Sequence, residues 1–176
     1  MDRAAQFRTL ISEIACAFTG ASRAGGISWS ESCAIDFHTS RAAARDLDKD
    51  TCWQSLIDAP GWPASGGTFV FLDPIGFRYY FPAAMTVELT ARLFDDFGPL
   101  ELSFFCNIPP SPNGVRKSAL NRFSLFTPAQ LAVTRRFVDA MRADALARED
   151  EDEFDLWTDA WQSHWCALGQ PQESPS

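Results

Sequence analysis

Lysine is nearly missing from this chain. Lys49 and Lys117 are the only two among fifteen basic residues, and the rest are arginine. No basic patch or stripe forms, which argues against a nucleic-acid partner. Histidine is almost as scarce, with only His38 and His164. The five cysteines (Cys16, Cys33, Cys52, Cys106 and Cys166) are odd in number, widely spaced and free of any C-x-x-C pair. That argues against a disulfide framework and a zinc ribbon, and reads as free, buried thiols in a reducing cytoplasm. No apolar run approaches the roughly 18–20 residues of a membrane span. The N-terminal MDRAAQFRTL lacks the apolar stretch of a signal peptide. G-x-S-x-G, G-x-G-x-x-G and P-loop patterns are also missing, so no catalytic residue, metal site or cofactor is expected.

What remains is aromatic and locally acidic. The 176 residues are 46% hydrophobic and include fifteen Phe and six Trp, enough for a sizeable core. The net charge is -8, but residues 149–155 hold six acids and no base. Without them seventeen acids face fifteen bases, so the acidity is one local feature.

The stretch Thr68–Met85 organises the expectation. Thr68–Leu72 and Phe77–Phe81 are aromatic and β-branched, and Asp73-Pro74-Ile75-Gly76 between them has type I turn preferences. The reading is a β-hairpin whose strands need cover on both faces, followed by a helix opening at Pro82. Leu100–Cys106 alternates like a third strand, with a helical turn as the alternative.

The other segments read as helices. Phe7, Leu10, Ile11, Ile14 and Phe18 recur on one helical face of residues 4–18, with Gly20 as the stop. Ser28 and Glu31 match a capping box, opening a helix that reaches toward Arg45 with a break near His38. Trp53, Leu56 and Ile57 suit one short helical turn. Asn107–Lys117 reads as a loop. Thr127-Pro128-Ala129-Gln130 starts a helix with Arg135–Asp139 and Asp144–Arg148 as exposed pairs. Trp157, Trp161 and Trp165 make a stripe of indoles every four residues. The fold class is therefore α+β: about five helices around a small antiparallel hairpin or three-stranded sheet. Residues 1–168 are expected to form one globular domain and 169–176 a disordered tail.

Few residues suggest chemistry. Asp46, Asp48 and Asp50 imitate the start of an EF-hand loop, but Thr51 and Ile57 stand where Gly and Glu belong. His38 sits beside Asp36, although nothing else converges on it. Arg78 is a charge in an apolar run and needs a partner if buried, with Asp73 and Glu88 within reach. Six acids at the start of the Trp helix exceed what capping requires.

Phe71-Leu72-Asp73-Pro74, Gly76-Phe77-Arg78-Tyr79-Tyr80 and Pro82-Ala83-Ala84-Met85 resemble the core motif of an uncharacterised bacterial family, a domain of unknown function. Phe123-Ser124-Leu125-Phe126-Thr127-Pro128-Ala129-Gln130 is similar to its late-helix start. The resemblance covers most of residues 5–142, leaves out the acidic run and Trp helix, and implies no activity. Two functional expectations follow from the residues. The first is a cytoplasmic, non-enzymatic protein-binding protein of an immunity or regulatory type. It would meet a basic partner, and no membrane, through Glu149, Asp150, Glu151, Asp152, Glu153 and Asp155. The alternative is a small enzyme or ligand-binding domain with a polar pocket beside the 68–82 hairpin, using Asp73, Arg78, Tyr79 and His38.

Overall fold

The structure is a computed structural model that describes residues 2–59, 62, 66–94, 102–110 and 114–168. Among them there are eight α-helices and no strand. In chain order they are α1 (Arg3–Ala17), α2 (Trp29–Asp36), α3 (Arg41–Arg45), α4 (Pro74–Leu93), α5 (Leu102–Cys106), α6 (Gly114–Arg122), α7 (Pro128–Ala147) and α8 (Glu151–Ser163). Short 3₁₀ turns occupy Trp53–Leu56, Gly66–Phe71 and Trp165–Ala167.

The expected hairpin does not exist, and the α+β class is overturned with it. Gly66–Phe71 is a 3₁₀ turn, and Phe77–Phe81 lies inside the twenty-residue α4. The turn-forming residues act differently: Asp73 is the N-cap of α4, its carboxylate accepting from the Gly76 N–H at 2.8 Å, and Pro74 opens the helix. A type I turn and the first turn of a helix share this backbone geometry, so the same Asp-Pro pair suits both. Pro82 falls in the helix interior, where it cannot donate to the Arg78 carbonyl. No residue from Pro74 to Leu93 is fully exposed. The segment Phe77–Phe81 is aromatic or apolar around most of the helix, and this hid the first half of α4.

The remaining helices pack around α4. α1 lies against α4 and α7, α6 against α4, and α8 against α7 and α5. Phe77 and Phe81 stack at 4.8 Å between ring centres, one helical turn apart. Phe69, Phe123 and Phe126 meet them edge-on or tilted, extending one aromatic cluster across the α4, α6 and α7 segments. Polar side chains also donate to carbonyls at helix ends. Trp53 Nε1 donates to the Phe18 carbonyl at 3.1 Å, and Gln130 Nε2 to that of Ala17 at 3.2 Å. Trp165 Nε1 donates to the Cys106 carbonyl at 2.8 Å.

The capping boxes at Ser28 and Thr127 are both formed. α2 stops at Asp36 and His38 takes φ +53°, so the expected break falls where it was placed. Leu102–Cys106 takes the helical alternative; Leu100 lies outside the described residues. Part of the expected loop at 107–117 is helix, since α6 begins at Gly114. Of the five thiols, all free, only Cys106 is buried. The proposed tail, 169–176, lies outside the described residues. No described helix is long and apolar enough to cross a membrane.

Candidate functional site

Two polar clusters flank α4. The first joins its C-terminal end to α1, α7 and α8. Arg92, buried in α4, donates to Glu88 at 2.8 and 3.1 Å and to Glu153 at 3.0 Å, and lies 3.4 Å from Asp144. Arg148 binds Asp144 at 3.0 Å and also pairs with Glu153 and Asp150. Arg3 approaches Asp144 at 2.5 Å and donates to the Arg92 carbonyl at 2.9 Å. Four helices are thereby bound through charges largely removed from water. Burial alone would raise the Glu153 pKa, but hydrogen bonds from Arg92 and Arg148 outweigh it and hold the carboxyl below its ordinary range. Burial dominates at Glu88 and pushes its pKa up; its Oε2 has no hydrogen-bond partner. Asp144–Arg148 was expected on the exposed side; instead Asp144 is 4% exposed and central to this knot.

The knot divides the acidic run. Glu153 is consumed by it, and Asp150 is the N-cap of α8, accepting from the Glu153 N–H at 3.0 Å while pairing with Arg148. Glu149 takes a left-handed φ of +58° at the α7–α8 corner. Glu149, Glu151, Asp152 and Asp155 are exposed and have no ion pair among the described residues. Leu146 and Leu156 stand exposed among them, at 61% and 56%. Asp152 and Asp159 lie four before and three after Leu156, on one face of α8.

The second cluster lies beside the N-terminal half of α4, between the α1–α2 loop and the segment after α3. A cleft of ≈ 270 Å³ is lined by Arg23, Gly25, Arg45, Asp50, Thr51 and Tyr79, among others. Its frame is tightly fixed. Asp73 Oδ1 accepts from both Gly76 N and Ile27 N, joining the loop to α4. The backbones touch here: a Cβ on Gly76 would stand 2.4 Å from the Ile27 carbonyl oxygen. Tyr80, next to Tyr79, accepts from the Trp29 N–H at 3.0 Å, and Asp48 accepts from the Ser30 N–H at 2.8 Å. With the Ser28 cap these satisfy the first N–H groups of α2. Asp50 accepts from Arg23 Nε at 3.3 Å, and Arg45 reaches the buried Glu31 at 3.0 Å. Burial would raise Glu31, but the Arg45 hydrogen bond and the Ser28 N–H bring it below its ordinary value. Tyr79 is 1% exposed; its hydroxyl lies beside Asp50 and makes no hydrogen bond among the described residues. Burial first, and then Asp50, push that hydroxyl far above its ordinary pKa.

Among residues singled out from sequence, Tyr79 lines this cleft, as do Asp50 and Thr51 of the incomplete EF-hand match. Asp73 is a helix cap, and His38 is exposed at the end of α2. Arg78 is half-buried, and its Nε has no partner among the described residues; neither Asp73 nor Glu88 pairs with it. Asp46, Asp48 and Asp50 gather no metal-binding group among the described residues. Arg23, Arg45 and Asp50 went unrecognised as a site, since they are far apart in sequence and meet only through the fold.

A sequence profile described as "Family of unknown function (DUF6714)" matches residues 6–168. The chain belongs to DUF6714. The match continues past residue 142, so the acidic run and the Trp-bearing α8 lie within the DUF6714 region, contrary to the narrower extent inferred from the motifs. No curated protein and no solved structure matches the chain.

Proposed function

We propose that this DUF6714 protein is a cytoplasmic, non-enzymatic binding protein, of an immunity or regulatory type. Its acidic α7–α8 corner receives a basic, amphipathic segment of a partner protein. The carrying observation is the division of the acidic run. Asp150 and Glu153 hold the corner rigid, while Glu149, Glu151, Asp152 and Asp155 stay exposed around Leu146 and Leu156. Exposed leucines in the same segment as four acids that are unpaired among the described residues suit a partner that brings apolar anchors and basic residues. A fixed backbone keeps the ordering cost of association low.

The test pairs affinity capture from the native host with a charge-neutral variant carrying Glu149→Gln, Glu151→Gln, Asp152→Asn and Asp155→Asn. The expected result is a basic partner retained by the wild type, released by added salt and not retained by the variant. Equal retention by the variant, or no partner under any condition, contradicts the proposal.

A further inference from the structure

We propose that the cleft beside Tyr79 binds a small zwitterion carrying a carboxylate and an ammonium group, of the kind represented by a free α-amino acid. The starting point is the unpartnered Tyr79 hydroxyl. Buried polar groups in folded proteins almost always find partners, and an exception beside a cleft calls for a ligand. Tyr79 is 1% exposed and lines the cleft. At neutral pH its hydroxyl stays protonated, so it offers both a proton and lone pairs.

The surrounding groups define what the hydroxyl shares the ligand with. Arg23 is held by Asp50 through Nε alone, and its terminal nitrogens have no acceptor among the described residues. Arg45 uses one terminal nitrogen on Glu31, and the rest of its fork has no acceptor among the described residues. Two guanidiniums with spare donors suit a carboxylate, which they can bind in a planar, two-point manner. Asp50 argues against a bare anion, because its own carboxylate lines the same space. The two arginines equally argue against a bare cation. A molecule with both charges satisfies all three, its ammonium facing Asp50 and the Tyr79 oxygen. The Thr51 hydroxyl adds a further donor or acceptor. The volume of ≈ 270 Å³ falls just below the range of about 300–1,000 Å³ typical of drug-sized pockets, which favours a ligand of few heavy atoms.

The cleft and the acidic corner use different residues, so either proposal can fail alone. The test is isothermal titration calorimetry of the whole chain against the common L-amino acids. Acetate, phosphate and methylammonium serve as half-ligands. The expected result is at least one amino acid binding with Kd below about 1 mM, and every half-ligand at least about tenfold weaker. Tyr79→Phe and Arg45→Gln should each weaken that binding about tenfold, with unchanged far-ultraviolet circular dichroism. Acetate or phosphate binding as tightly as the amino acid would overturn the zwitterion assignment in favour of a plain oxyanion site. Binding by no amino acid, or undiminished binding by both variants, would overturn the site itself.

Discussion

The two ends of α4 handle buried polarity in opposite ways. Arg92 and Tyr79 stand thirteen residues apart, about 20 Å along the helix. At the Arg92 end, guanidiniums from α1, α4 and the α7 C-cap meet carboxylates from α4, α7 and α8; among the described residues Glu88 Oε2 and Asp144 Oδ1 make no hydrogen bond, the latter with Arg3 at 2.5 Å. At the Tyr79 end, the backbone is equally fixed, but among the described residues a buried hydroxyl has no partner and two arginines have donors without acceptors. The difference separates polarity used up in holding helices together from polarity still available to a ligand.

The largest expected effect tests the closed end. Arg92→Met removes one member of the knot: Glu88 loses its cation, and Glu153 and Asp144 are left to Arg148, with Arg3 also on Asp144. We expect a loss of about 3–5 kcal/mol in urea unfolding. A loss below about 1 kcal/mol would mean that the knot behaves as a surface pair, and the contrast would collapse.

The next effect tests the frame of the open end. Gly76→Ala drives a Cβ to within 2.4 Å of the Ile27 carbonyl oxygen, where backbone must move. We expect a loss of about 1–3 kcal/mol, measured in the same way. A neutral result would show that the α1–α2 loop yields easily, and that the cleft is not preformed.

A smaller effect is carried by pH. Glu153 and Glu31 have pKa values lowered by folding, so their stabilisation is present above the ordinary carboxylate value and lost as pH falls through the lowered ones. Glu88, raised by burial, works the other way: its contribution is present below the ordinary value and lost as pH rises through the raised one. The melting temperature should therefore fall below about pH 4. Glu153→Gln should show a shallower fall over that window and lower stability at neutral pH. An unchanged acid slope would remove Glu153 from the account.

Much of the helical frame was legible in the sequence because caps are local. Ser28 with Glu31, and Thr127 with Gln130, marked helix starts that formed as read. The centre misled because the first half of α4 is aromatic or apolar around most of the helix: Phe77-Arg78-Tyr79-Tyr80-Phe81 shows aromatic density without helical periodicity. Asp73-Pro74 did not decide the matter, since a turn and a helix cap draw on the same side-chain chemistry. The acidic run was visible, but its division was not. Which acids stay free depends on Arg92 and Arg148, and the Arg92 contacts cross more than fifty residues of chain. The cleft was the least legible feature. Tyr79 was singled out for a pocket and Asp50 only for a failed calcium-loop match, while Arg23 and Arg45 looked like ordinary loop and connector charges.

Two adjacent tyrosines give the most direct test of the contrast. Tyr80 accepts the Trp29 N–H at 3.0 Å, and the hydroxyl of Tyr79 has no partner among the described residues. The measurement is the unfolding free energy of Tyr80→Phe and Tyr79→Phe without ligand. Tyr80→Phe should cost about 1–3 kcal/mol, because it strands a buried N–H at the start of α2. Tyr79→Phe should cost nothing, or stabilise the fold slightly, because it removes a hydroxyl that folding left unpaired. Equal losses in the two variants would show that Tyr79 is bonded within the protein, and would contradict the reading of its cleft as open.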